Sequence, residues 1–338
     1  MTMMKSAAKL KATEERLDEI RETAGEAAQV SGGVRPAAST PQKREGESYY
    51  GLPTLKPPVW TWEVPLYFFL GGIAGMSACI GFIAQLFHGG SALIRLCFWV
   101  GLSGAAICPA LLIADLGRPM RFLNMLRVFK LQSAMSMGAW ILVAFSNCVF
   151  LAVLCVELHL RGFTNPLLIG FLWIGEASAA VTGLLLASYT GVLIGATAVP
   201  VWSENRKLLP AHFLTSGLGG ASGILELAGF LVPATQILGF AASGIETLIE
   251  ILLQVRKRPV DSPLHHGGSG RALLIAGLLE GPAALLLRIF FGSGPTGRYA
   301  AAAVFLIGSL LSRYAWIWAG RVSARDPGAL FKLQRYKS

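Results

Sequence analysis

Two carboxyls and two phenols stand out as groups able to do proton and carbonyl chemistry: Glu63, Asp115, Tyr67 and Tyr189. A carboxyl and a phenol placed together can hydrogen-bond the carbonyls of a quinone head group and carry its protons, which is general acid–base work. The same residue types also suit a plainer role, as helix-end carboxylates and tyrosines at a membrane–water boundary. Both roles require the four side chains to share one depth, so the elements that carry them come next.

Those elements are apolar. The chain of 338 residues is 54% hydrophobic and only 14% charged, with 29 Lys plus Arg against 19 Asp plus Glu and a net charge of +10. So few charges exclude a soluble globular enzyme. The basic residues are also too sparse and too interrupted by apolar runs to follow a nucleic-acid backbone, and no disordered chain is this apolar. From Glu63 onward, eight apolar runs recur at about 63–88, 92–114, 135–160, 166–199, 209–231, 234–254, 271–291 and 299–320. Each is near the ~20 residues that a helix needs to cross ~30 Å of hydrocarbon. Backbone groups in lipid must be satisfied within their own segment, so these lengths predict an all-α integral membrane protein with eight transmembrane helices.

An even number of spans puts both termini on one side. On that face lie fifteen Lys and Arg, in the 2–3, 4–5 and 6–7 connections and the C-terminal tail, against little beyond Arg95, Arg161 and Arg298 opposite. The positive-inside rule makes that face cytoplasmic. Run 1 starts there and runs 2 and 4 end there, which brings Glu63, Tyr67, Asp115 and Tyr189 to one membrane surface. Trp60, Trp62, Trp202 and Trp318, near run ends, fit interfacial anchors. Residues 1–62 form a polar extramembrane tail, with nine Lys plus Arg, eight Asp plus Glu and few large apolar side chains. No apolar core follows its early lysines, so no signal peptide is expected. Residues 321–338 form a basic C-terminal tail.

Ionisable residues inside spanning helices are costly and usually face a polar cavity or a partner. Glu176, Glu226 and Glu280 lie deep in their runs and suit either a proton path or pairing with Arg288 or Arg313. Glu246 and Glu250, four apart, suit pairing with Arg256 or Lys257 near the surface. A b-type haem needs paired histidines on facing helices. His88 and His159 end helices, His212 begins one and His265–His266 sit in a loop, so all read as surface histidines and no haem is expected. The five cysteines lie in apolar runs without Cys-x-x-Cys spacing, so neither an iron–sulfur cluster nor any other metal site is expected in this chain. No phosphate-binding glycine fingerprint or Ser-His-Asp arrangement is suggested.

The connection Asp115-Leu-Gly-Arg-Pro-Met-Arg-Phe122 continues to Lys130. Gly117 and Pro119 stop the second helix, and Arg118, Arg121, Arg127 and Lys130 make a basic platform with Phe122 and Phe129 between them. Anionic lipid is one partner for such a platform, and an extramembrane subunit is another.

At this loop the sequence resembles the NrfD/PsrC family, the membrane anchor subunits of polysulfide, nitrite, formate and related respiratory oxidoreductases. The resemblance extends over residues 49–320. It rests on Trp60-Thr-Trp-Glu-Val-Pro-Leu-Tyr-Phe-Phe-Leu-Gly-Gly-Ile-Ala-Gly75, the Asp115–Phe122 loop, Ser136-Met-Gly-Ala-Trp140, and Ser188-Tyr-Thr-Gly191 leading to Pro200-Val-Trp202. It implies two four-helix bundles, with a quinone or quinol (menaquinone or ubiquinone) bound in the first and no redox centre in the anchor itself. It also implies a bacterial or archaeal cytoplasmic membrane, a four-cluster ferredoxin-like iron–sulfur partner, and a catalytic subunit that is often a molybdopterin enzyme. By the resemblance, Tyr189 matches a quinone-contacting tyrosine and Asp115 stands where relatives carry a proton-handling acid. Relatives can have an Asn and a His in helix 1, where this chain has Val64 and Tyr67; Tyr67 and Glu63 offer substitute polar groups.

In relatives with exported partners, the face with the termini and the 2–3 loop points to the periplasm, against the charge rule. The expectation is a quinone-interacting anchor that exchanges electrons with an iron–sulfur partner: Tyr189 and Asp115 at the quinone, Glu63 and Tyr67 shaping the pocket, Arg118 and Arg121 at the partner, and Glu176, Glu226 and Glu280 on a proton path. Its alternatives are a secondary transporter, suggested by buried carboxylates and the Gly-interrupted stretch Gly217–Gly223, and a purely structural anchor.

Overall fold

The computed structural model describes residues 55, 58–116, 120, 122, 126–127, 129–256 and 258–326. Most of the expected N-terminal tail, Arg118 and Arg121 of the basic loop, and the end of the C-terminal tail lie outside the described residues. Among those described, every regular element is helical. The order is α1 (Glu63–Leu86), α2 (Ser91–Asp115), α3 (Ala134–Leu160), α4 (Pro166–Gly195), a short α5 (Pro200–Glu204), α6 (Leu208–Leu227), α7 (Pro233–Val255), a short α8 (Ser262–His265), α9 (Gly267–Leu278), α10 (Ala284–Phe291) and α11 (Pro295–Ala324). A π-helical turn, Leu279–Ala283, joins α9 to α10 into one rod. It contains Pro282, whose missing N–H and bulky ring a wider turn tolerates better than a regular α-turn.

Local chemistry sets several ends. Asn165 caps α4 by accepting from Leu167 N at 3.1 Å, and Pro166 follows at the first helical position. Gly162 and Gly229, with φ of +94° and +93°, stop α3 and α6 in the left-handed conformation. The next residues, Phe163 and Phe230, then donate backward to the carbonyls of Leu158 and Leu225.

Among the described residues, seven elements are long and apolar enough to cross a membrane: α1, α2, α3, α4, α7, the α9–α10 rod and α11. The sequence predicts eight, and the run at 209–231 is the exception. It forms α6, whose 20 residues suffice for ~30 Å, but its middle is Ser216, Gly217, Gly219, Gly220, Ala221, Ser222 and Gly223. The reason lies in its position. α6 is packed between α1, α4, α7 and α11, so it needs small residues for close approach rather than apolar ones for lipid.

α1 is the other central helix, in contact with α2, α4, α6 and α11. Helices in lipid gain little from hydrophobic association and rely on close packing, which small residues permit. Gly75 meets Gly183 of α4 backbone to backbone, and a methyl group on Gly217 of α6 would stand 2.9 Å from the Gly72 carbonyl oxygen. α3 packs on α2 and α4, while α7, the α9–α10 rod and α11 gather on the far side of α6.

Candidate functional site

At the end of the molecule where α1 begins and α2 ends, a cavity of about 230 Å³ opens between α1, α2, α3 and α4. Its walls are mainly apolar: Val64, Phe68, Leu112, Leu116, Met135, Ala139 and Leu193, with Phe122 at the loop. Three polar side chains line it, Tyr67, Asp115 and Tyr189, all singled out from sequence. Tyr67 stands on the second turn of α1 and is 2% exposed, Asp115 is the last residue of α2, and Tyr189 lies near the C-terminal end of α4. Their helices run in alternating directions, which brings positions far apart in sequence to one depth.

The Tyr189 hydroxyl donates to the backbone carbonyl of Ala134, the first residue of α3. Its ring lies against Gly138, where an added methyl group would overlap the ring atoms. Asp115 Oδ1 accepts from the Thr61 hydroxyl at 2.6 Å, and the same hydroxyl contacts the Glu63 carboxyl. Glu63 therefore does not line the cavity; it sits behind it, buried, joined to Asp115 through Thr61. Sequence reading missed Thr61, although a hydroxyl two residues before a helix-opening Glu is a signal it could have used.

The segment bearing Thr61 is held on both sides. Trp60 stacks on Trp202 of α5 with ring centroids 5.4 Å apart and planes 12° apart. Trp202 Nε1 donates to the Trp316 carbonyl at 2.9 Å, and Tyr314 of α11 donates to the Trp62 carbonyl at 3.0 Å. Trp202 is thus fully buried and not the interfacial anchor expected of it, whereas Trp62 and Trp318 are exposed.

The deep carboxylates occupy three separate settings. Glu226 accepts both Arg288 Nη atoms, at 3.0 and 2.8 Å, and Arg298 through Nε and Nη2, at 3.1 and 2.8 Å. Arg298 also donates to the carbonyls of Leu231 and Val232 and to Thr235, which ties the α6–α7 turn to α11. Glu280, in the π turn, accepts from Ser216 at 3.0 Å and lies 3.7 Å from His212 Nε2. Glu176, fully buried on α4, has no hydrogen-bond partner for either oxygen among the described residues. Of the pairings expected with Arg288 or Arg313, the described residues show an ion pair between Glu226 and Arg288, while Glu280 and Arg313 interact electrostatically without a hydrogen bond between them.

His212 corrects the surface-histidine reading: it is 3% exposed. Its Nδ1 lies 2.7 Å from Glu246, and its Nε2 lies 2.9 Å from Ser312. Thr215 also donates to Glu246, and Glu250 accepts from Gln254, so among the described residues neither carboxylate pairs with Arg256 as expected; Lys257 lies outside the described residues. One ligand atom each from His212, Glu246 and Glu280 lies within 4.8 Å of the others, close enough for a single ion. Each of these groups already has a protein partner, and the Arg313 guanidinium, stacked 3.7 Å over Phe213, shares the same core.

The description of the family model that matches residues 52–255 is polysulphide reductase, NrfD. The chain belongs to this family. The match spans α1–α7 and includes every residue that lines the cavity, while the α9–α10 rod and α11 follow it. The polysulfide reductase C subunit of Wolinella succinogenes is 32% identical over 193 residues, 51% of this chain and 59% of that protein. The protein NrfD of Escherichia coli K12 is 25% identical over 193 residues, 50% of this chain and 59% of its own length. The NrfD-family chain thus spans about three-fifths of the length of the curated relatives it matches. Its seven long apolar helices make it a multi-pass membrane protein.

Proposed function

We propose that this chain is the quinone-interacting membrane subunit of a respiratory oxidoreductase complex, located in a bacterial inner membrane. One observation carries the reading: Tyr67, Asp115 and Tyr189 converge on one apolar cavity at one end of the helices. An apolar cavity of ~150 Å³ holds benzene, so about 230 Å³ accommodates a ring head group with its carbonyl oxygens. Mostly apolar walls with a few placed polar groups are the usual make-up of a small-molecule site.

A quinone supplies two-electron, two-proton redox chemistry. The chain's own residues position and protonate it. The Tyr189 hydroxyl, engaged with the Ala134 carbonyl, is placed to turn toward a ligand carbonyl and donate to it. Asp115 lines the cavity with a carboxyl able to exchange a proton, and the buried Tyr67 lines it from α1. Electrons pass to or from an iron–sulfur subunit docked on the face of the α2–α3 loop, where Arg118 and Arg121 supply positive charge, and a further catalytic subunit completes the complex. In this reading α6 is the eighth span, and α1–α4 and α6–α11 are two four-helix groups sharing the α1–α6 seam.

Purification of the tagged chain from native membranes in mild detergent, with iron and quinone assayed on what co-purifies, tests the proposal. Bound quinone and an iron–sulfur partner are expected. A protein that purifies alone, free of quinone and unable to bind an added short-chain naphthoquinone, would overturn it.

A further inference from the structure

Thr61 lies between two carboxyls, and a hydroxyl owns one proton. With that proton it makes one full hydrogen bond, to Asp115 at 2.6 Å or to Glu63, or shares it between them in a weaker three-centre contact. Each contact becomes a full two-centre hydrogen bond when a second proton sits on one of the carboxyls and is donated to the Thr61 oxygen. Glu63 is the enclosed member of the pair at 7% exposure, and Asp115 is the member that reaches the cavity. The hydroxyl is not free to wander, because Trp60 is stacked on Trp202 and the Trp62 carbonyl is held by Tyr314.

We propose that Thr61 is a positioning residue that relays a proton between Glu63 and Asp115, so that the cavity acid is recharged from an enclosed carboxyl. The step balances without electrons. The Glu63 carboxylic O–H gives its proton to the Thr61 oxygen as the Thr61 hydroxyl proton passes to the Asp115 carboxylate. Glu63 ends ionised, Asp115 ends protonated, and Thr61 is again a neutral hydroxyl. The inference rests on the quinone reading for what Asp115 then protonates. The relay itself is a property of three side chains that can be observed without turnover. It also gives α5 and α11 a part in the cavity's chemistry, since Trp202 and Tyr314 fix the residue that connects its acids.

The test uses the complex as purified, in lipid nanodiscs, with a short-chain naphthoquinone as probe. Thr61→Val, which keeps the shape and removes the hydroxyl, is expected to lower quinone-linked kcat about tenfold or more at unchanged KM and unchanged quinone binding. Thr61→Ser is expected to restore it. Infrared difference spectra across a pH step, taken without substrate, should show a protonated carboxyl band that Glu63→Gln removes and Thr61→Val shifts. Equal kcat in wild type and Thr61→Val, or a carboxyl band indifferent to both substitutions, would overturn the relay. If the wild type neither binds nor turns over the quinone, the quinone reading fails and the infrared result alone decides whether the proton-sharing triad exists.

Discussion

Gly138 of α3 lies directly against the ring of Tyr189 of α4, leaving no space for even one methyl group between them. The ring lies close over position 138 while its hydroxyl reaches the Ala134 carbonyl, so the two contacts together hold the phenol between α3 and α4. Gly138→Ala is therefore expected to push Tyr189 into the cavity and to cost about 1–3 kcal/mol of stability through overpacking. Quinone affinity should fall while the helices remain assembled. Normal quinone binding with an unchanged thermal midpoint would show that the ring has another place to go.

Tyr189→Phe asks a separate question, since it keeps the ring and removes the hydroxyl. The lost hydrogen bond to Ala134 is worth about 1 kcal/mol, too little to prevent assembly. Quinone-linked turnover should drop about tenfold or more, with the partner subunits still bound. Unchanged turnover would remove Tyr189 from the chemistry and leave it as packing between α3 and α4.

The cavity was largely legible in the sequence because its polar members lie at helix ends, where hydropathy and charge fix depth well. Asp115 before Gly117, and Tyr189 late in a long apolar run, needed only the directions of the helices to be brought together. The interior of the α6–α11 region was not legible. The middle of α6 is built of glycine, serine and alanine because it packs against four other helices, so it gives a weaker membrane signal than the helices that face lipid. His212 opens that helix and reads as a surface residue until its partners Glu246 and Ser312, 34 and 100 positions away, are known. Arg298 is hidden for a similar reason: in sequence it is one loose charge on the far face, and in the fold it is a buried partner of Glu226.

Glu226 accepts four hydrogen bonds from two arginines and is fully buried, so it neutralises half of the guanidinium charge around it. Removing one partner of a buried ion pair leaves the other charge uncompensated, at about 3–5 kcal/mol. Glu226→Gln is expected to lower the thermal midpoint sharply and loosen the α6–α7 turn, seen as faster backbone hydrogen exchange at Leu231–Thr235. Glu176→Gln, on α4, is the contrast. Its carboxyl has no hydrogen-bond partner among the described residues to lose, so stability should hold or rise. Equal destabilisation by the two substitutions would show that the Glu226 cluster is no stronger than any buried carboxyl.

Asp261 lies in the connection between α7 and α8, outside the spanning helices, and is 2% exposed. Burial raises its carboxyl above the usual range, against a hydrogen bond from Asn205 Nδ2 at 3.1 Å that pulls the other way. A carboxyl that binds its proton more tightly folded than unfolded favours the folded state most when protonated. That contribution is full at low pH, below the ordinary aspartate value, and is lost as pH rises through the raised one. Asp261→Asn removes the charge and supplies an N–H donor to Asn205 Oδ1, which has no hydrogen-bond partner among the described residues. Thermal midpoints in detergent should therefore be higher for Asp261→Asn than for the wild type at neutral pH, with the two curves converging as pH falls toward about 4. A lower midpoint for the variant at neutral pH would mean that the ionised carboxyl is held by attraction to Arg258 and His265, and that burial is not the dominant influence on it.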